Sequence, residues 1–178
     1  MRAQISPSIE VVIYGEARPA GALAIGQRKD GGRFLHHRSG PELAAWKNAI
    51  RSEVGPLVTD PTRAAVRVAA TFCVKRPAGH FGTGRNAGTL KASAPAFPTT
   101  RAKGDVDKLA RALLDALTGV YFADDSQVVD LRVRKLFADS GPVRLELRLS
   151  ELDEVDALFE RGAPPSARPH MRRERVLP

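Results

Sequence analysis

The sequence predicts one small α+β domain, with a mixed or antiparallel sheet packed with two main helices. Three observations carry that expectation. Short β-branched or alternating runs recur through the chain, each bounded by Gly or Pro. Two longer segments repeat apolar residues at three- and four-residue spacing, the mark of a helix with one buried face. The 178 residues, 43% hydrophobic, suffice for one core and some loose ends.

Ser8–Tyr14 reads as the first strand, closed by Gly15. Residues 15–32 hold Gly, Pro, Arg and Lys and read as a basic loop; Arg33–Arg38 forms a further short strand. Ser39-Gly40-Pro41 opens a helix in which Leu43, Trp46, Ala49 or Ile50, and Val54 recur, and Gly55-Pro56 stops it. Trp46 belongs to the core by this spacing. Ala64–Lys75 is a long strand with Val66, Val68, Ala70, Phe72 and Val74 on one face. Residues 76–104 are the longest irregular stretch, rich in Gly and Pro and without Asp or Glu, which fits a nucleic-acid-binding loop or a disordered linker. A helix runs from about Asp105 to Leu117, with Leu109, Leu113, Ala116 and Leu117 buried. Gln127–Phe137 and Val143–Leu149 are two more strands, joined by a hairpin-like turn at Ala138–Pro142. Ser150 suits the N-cap of a short helix Glu151–Glu160. From Arg161 onward the chain reads as a flexible basic tail, so residues 1–150 form the domain and 151–178 an extension.

The formal net charge is +8 and points to a polyanionic partner, with nucleic acid ahead of an anionic membrane. No apolar run approaches the roughly 20 residues a membrane span needs, and no signal peptide is evident, so the expected location is the cytoplasm. Cys73 is the single cysteine and falls in an alternating apolar run, which suits a buried thiol. His36, His37 and His80 lack partners at ligand spacing and read as surface or loop residues.

In this basic chain the carboxylates around the second helix stand out. Asp105 and Asp107 open it, Asp115 lies within it, and Asp124-Asp125 follow it. Each has a structural explanation: Asp105 as N-cap, Asp107 on the helix dipole, Asp115 paired with Arg111, Asp124-Asp125 in a turn. Taken together they suit a metal site. Clustered carboxylates bind hard cations such as magnesium, and such an ion can orient water for in-line attack on phosphorus. Arg and Lys around them would offset phosphate charge. The helix is about 18 Å long by its rise, so the reach of Thr118–Ala123 in returning Asp125 to Asp105 is marginal within one chain; a strand entering beside the helix, or a second subunit, could complete the site.

Gly104-Asp105-Val106-Asp107-Lys108-Leu109, then Leu114-Asp115-Ala116-Leu117-Thr118-Gly119 and Asp124-Asp125-Ser126-Gln127-Val128-Val129, resemble the signature of the RusA family of Holliday-junction resolvases. The resemblance implies a small α+β homodimer that binds four-way DNA junctions and nicks two opposing strands with magnesium or manganese, leaving 5′-phosphate and 3′-hydroxyl ends. By position it implies metal binding by Asp105, Asp107 and Asp125, and a catalytic cation at Arg111. Arg111 stands where the pattern has Lys, Lys108 where it has Asn, and Gly104 where it has Pro. Arginine keeps the charge but cannot act as a general base. A junction-binding protein of the same fold with weak or no catalysis is the alternative. Expected DNA contacts are Arg18, Arg28 and Lys29 in the first loop, and Arg76, Arg85, Lys91, Arg101 and Lys103 in the long one. Lys108 and, on one strand face, Arg132 and Arg134 complete the set, with Lys135 opposite and merely on the surface.

Overall fold

In the computed structural model of the chain, residues 8–21, 23–37, 40–100 and 104–152 are described. Arg101, Lys103 and the extension from residue 153 lie outside them, as do the side chains of His36 and His37.

The main elements in chain order are β1 (Ser8–Tyr14), β2 (Leu23–Gln27), β3 (Arg33–His37), α1 (Gly40–Val54), β4 (Ala65–Val74), α2 (Val106–Leu117), β5 (Val128–Phe137) and β6 (Arg144–Leu152). β1, β6, β4 and β5 form a four-stranded mixed sheet in that order. β6 pairs antiparallel with both β1 and β4, while β5 lies parallel to β4. A parallel neighbour needs a crossover, and α2 supplies it between β4 and β5. The expected α+β domain with two main helices on a mixed sheet is therefore the observed one.

β4 is central because it has apolar residues on both faces. Val66, Val68, Ala70, Phe72 and Val74 are buried beneath the helices, and Thr71 and Cys73 are buried on the opposite face. Burial, with Glu146 beside it, pushes the Cys73 thiol above its ordinary value, as suits a packed thiol rather than a nucleophile. From α2, Leu109, Leu113, Ala116 and Leu117 are fully buried against the sheet, and from α1, Trp46, Ile50 and Val54 join them. Alongside, Leu43 of α1 packs with Ala112 of α2 and Ala20. The two helices are clasped at the far end of α2. Lys47 Nζ meets Asp115 at 2.6 Å, and Arg51 donates to the carbonyls of Asp115 and Ala116 at 3.2 and 3.3 Å. Those carbonyls are at the helix C-terminus, where a cation is favoured.

Three expectations give way. The loop 15–32 contains a strand: β2 pairs with β3, from Leu23↔His37 to Gln27↔Arg33, as a two-stranded sheet of its own. β5 and β6 are not a hairpin, since β4 lies between them and pairs with each. Ser150 caps no helix: Ser150, Glu151 and Leu152 continue β6, opposite Arg67, Val66 and Ala65 of β4. A partner strand that long offers hydrogen bonds to the backbone of residues 150–152, and they outweigh a local capping preference.

The long stretch after β4 is likewise organised. Phe81 bridges Leu90, Gly82 N donates to the Thr89 carbonyl at 2.8 Å, and Lys91 N to that of His80 at 2.9 Å. Arg76 anchors its base. It is only 7% exposed, donates to both Asp139 oxygens at 2.6 and 2.7 Å and to the Pro95 carbonyl at 2.9 Å, and lies 3.9 Å over the Phe137 ring. His80 meets the same ring edge-on.

Leu113 is fully buried between helix and sheet. Leu113→Ala is expected to destabilise the domain by about 2–5 kcal/mol, read from the midpoint of urea unfolding. Acid should also unfold the domain through its paired carboxylates. The Arg76 hydrogen bonds hold the Asp139 carboxyl below its ordinary value. Its contribution is thus complete above about pH 4, the unfolded carboxylate value, and is lost as pH falls through the lower folded one. Asp139→Asn should therefore lower stability at neutral pH and flatten its fall below about pH 4 in a pH series of thermal melts.

Candidate functional site

The structure separates the carboxylates around α2 into those that are paired and those that are not. Asp115 is the partner of Lys47, not of Arg111, and is structural. Asp124 closes the turn Asp125–Gln127 with a capping box: its side chain accepts from Ser126 N at 2.9 Å, and its own N–H donates to Gln127 Oε1 at 2.9 Å. Those bonds from Ser126 hold the Asp124 carboxyl below its ordinary value. Asp107 and Asp125 differ. Both are exposed, and neither side chain has a hydrogen bond or ion pair among the described residues. Asp105 is half-buried at the helix N-cap, yet its side chain makes no capping bond and instead meets Lys108 Nζ at 2.7 Å.

The N-terminal end of α2 is braced from two sides. Gly104 is buried with φ +78°, and a Cβ there would lie 3.1 Å from Pro19. Proline cannot adopt that φ, so glycine in place of the family pattern's proline reflects a left-handed turn into the helix. Lys135, reaching from β5, donates from Nζ to the Gly104 carbonyl at 2.6 Å. Ala20 N donates to the Lys108 carbonyl at 2.9 Å, laying the Arg18–Ala20 segment against this end. Lys135 was expected only at the surface. The alternation placed it correctly on the face opposite Arg132 and Arg134, but alternation alone cannot show what a lysine reaches.

Asp125 is fixed at the other end. The Thr118–Phe122 bridge folds the chain sharply after α2, and Ala123 N donates to the Thr62 carbonyl at 3.1 Å. Gln127 Nε2 donates to the carbonyls of Thr62 and Ala64, each at 2.9 Å. The motif glutamine therefore pins the turn that presents Asp125. From there β5 runs back until Lys135 meets Gly104. Asp125 thus lies towards one end of α2, and Asp105 and Asp107 at the other, roughly 18 Å apart along the helix. Among the described residues no three His, Cys, Asp or Glu side chains are grouped to hold a metal ion. Asp105, Asp107 and Asp125 are thus not brought together within one chain. Their hard oxygen donors suit magnesium or manganese.

The expected cations have different surroundings. Arg111 is exposed one turn after Asp107, without an ion pair among the described residues. Arg18 faces Glu16 and Glu42 at 3.6 and 3.5 Å. Arg28 and Lys29 are exposed at the β2–β3 turn, held by Arg28 N to the Gly32 carbonyl at 2.6 Å. Arg85 is exposed, and Lys91 donates to the Gly79 carbonyl at 2.9 Å. Arg76 is not a surface cation: its guanidinium is occupied by Asp139 and Pro95, as described above. Arg132 and Arg134 lie on the sheet face away from the helices, Arg132 on Asp130 at 3.1 Å and Arg134 on Thr71 Oγ1 at 2.8 Å. On Asp130, burial opposes the charge, but hydrogen bonds from Arg132 and Arg67 outweigh it and keep the carboxyl below its ordinary value.

A mixed sheet with two helices on one face, exposed carboxylates at both ends of the crossover helix and a net charge of +8 define a small basic α+β domain. The chain belongs to the RusA family: residues 18–150 match the family described as Endodeoxyribonuclease RusA. A shorter stretch is similar to the Uncharacterized protein YqaN of Bacillus subtilis (strain 168), 43% identical over 51 residues, which are 29% of this chain. The match spans 34% of that relative's length. Among the described residues no helix is long and apolar enough to cross a membrane.

Gln127 joins three backbone groups through one amide. Gln127→Ala is expected to cost about 1–3 kcal/mol through the carbonyls it leaves unpaired, and Gln127→Glu, which loses both Nε2 donors, at least as much. Chemical denaturation of the two variants beside the parent protein measures both.

Proposed function

We propose that the protein is a structure-selective endodeoxyribonuclease that resolves four-way junctions by metal-dependent nicking of two opposing strands, acting as a homodimer. The observation that carries this reading is the family match over residues 18–150, which includes Asp105, Asp107 and Asp125. Asp107 and Asp125 are exposed and unpaired among the described residues of a strongly basic chain, which supports ligand roles for them. Their position at opposite ends of α2 supports a site made by two copies. In that arrangement Asp105 and Asp107 of one protomer act with Asp125 of the other, and a two-fold axis creates two equivalent sites for the two strands.

A bound magnesium or manganese ion would supply a water oriented for attack and charge stabilisation at the leaving oxygen. Asp105, Asp107 and Asp125 would hold it. Arg111, on the same helix face as Asp107, grips the scissile phosphate with its planar guanidinium and offsets charge as it develops, but moves no proton. Arg28 and Lys29, at the tip of a hairpin separate from the main sheet, hold the flanking backbone together with Arg18, Arg85 and Lys91. Arg132 and Arg134 belong to a different surface, the open sheet face, and serve a junction arm only if it reaches there. Lys135 keeps the Gly104 turn in place so that the acidic pair points forward.

The second reading, a junction binder without chemistry, rests on Lys108 and Arg111 standing where the family pattern has Asn and Lys. Incubation with an end-labelled synthetic four-way junction separates the two. The nuclease yields paired nicks with magnesium and none with chelator, and Asp107→Asn keeps binding while cleavage falls by on the order of a hundredfold or more. A protein that binds the junction and leaves it uncut across varied sequences with magnesium and manganese contradicts the nuclease reading.

A further inference from the structure

Lys108 occupies the carboxylate that the proposed function assigns to a metal ion. Its Nζ is 2.7 Å from Asp105 Oδ2, and both side chains are close to half exposed. Asp105 is the N-cap of α2, but its carboxylate accepts no capping bond from the helix amides. The usual N-cap aspartate is tied to those amides and would lose them on turning to a ligand. Here the carboxylate meets the half-exposed ammonium of Lys108, so a second cation can compete for that position without breaking a capping bond at the helix end. The backbone beneath is secured independently, by Lys135 on the Gly104 carbonyl and by Leu109 N on the Asp105 carbonyl at 3.1 Å.

We propose that Lys108 is a resident counter-ion that sets the metal affinity of this end of the site, an inference that rests on the reading of Asp105 and Asp107 as metal ligands. The ammonium neutralises Asp105 while no divalent ion is present. A divalent ion must displace it, so metal binding is weaker than three bare carboxylates would give. Once displaced, the ammonium sits on a half-exposed side chain beside the acidic pair, where an incoming phosphate is its next partner. A neutral residue at this position, such as the asparagine of the family pattern, would impose no such competition. The exchange involves no covalent step.

Manganese binding to the full-length protein without DNA, followed by water-proton relaxation, tests this without relying on activity. Lys108→Gln and Lys108→Asn are expected to bind manganese more tightly, by on the order of threefold to tenfold, as suits loss of one half-exposed charge near the ion. Lys108→Arg should retain the parent affinity, because it keeps the charge. Each variant is also checked by circular dichroism, and two neutral side chains of different helix propensity guard against a local folding effect. Unchanged or weaker manganese binding in both neutral variants overturns the role of Lys108. The control is Asp107→Asn. If it binds manganese as tightly as the parent, the metal-site reading itself fails and takes this inference with it. If Asp107→Asn loses binding while Lys108→Gln and Lys108→Asn both match the parent, only the role of Lys108 is overturned.

Discussion

The packing of α2 against the sheet governs the rest of the molecule. Leu109, Leu113, Ala116 and Leu117 allow the helix no other face, and its buried stripe fixes its direction between β4 and β5. Because β5 must lie parallel to β4, the chain enters α2 near the end of β4 and leaves it near the start of β5. That geometry sends Asp105 and Asp107 to one end and Asp125 to the other. The same constraint that stabilises the core therefore leaves each end with only part of the proposed ligand set. The proposed site shared by two protomers would reconcile this topology with three-carboxylate chemistry.

The ends of the helix are fixed by polar contacts of different kinds. At the N-terminal end, Lys135 and Ala20 bind backbone groups and leave the acidic side chains outside the bracing. At the other end, Gln127, Thr62 and the Asp124 capping box hold the turn and leave Asp125 exposed. Asp115, Asp130 and Asp139 are absorbed into ion pairs with Lys47, Arg67 and Arg76. A chain with a net charge of +8 has cations available for every carboxylate. That Asp107 and Asp125 are unpaired among the described residues agrees with a demand other than folding.

Much of the fold was legible in the sequence because burial leaves a period. Val66, Val68, Ala70, Phe72 and Val74 announced β4, and the Leu109 and Leu113 stripe announced α2. Strand order was not legible, since alternation shows which residues share a face but not which strand lies alongside. The turn at Ala138–Pro142 thus looked like a hairpin although β4 separates its strands. β2 was obscured by its shortness and by the Gly and charged residues around it. The motif singled out the candidate acids, but not the residues that support them. Gln127 and Lys135 act across more than 30 residues of sequence, on carbonyls that leave no trace in side-chain pattern. Arg76 resembled a phosphate contact because its partner, Asp139, lies equally far along the chain.

The most direct test of a shared site is complementation between two inactive variants. Asp107→Asn and Asp125→Asn proteins are each prepared, shown to be inactive on a labelled four-way junction, then mixed under conditions that exchange subunits. In a shared site, the mixed dimer contains one intact set: Asp105 and Asp107 from one protomer with Asp125 from the other. The account predicts that mixing restores magnesium-dependent nicking, confined to one strand per junction. If each site belonged to a single chain, every protomer would carry a lesion. A mixture that exchanges subunits and remains as inactive as its components would contradict the account.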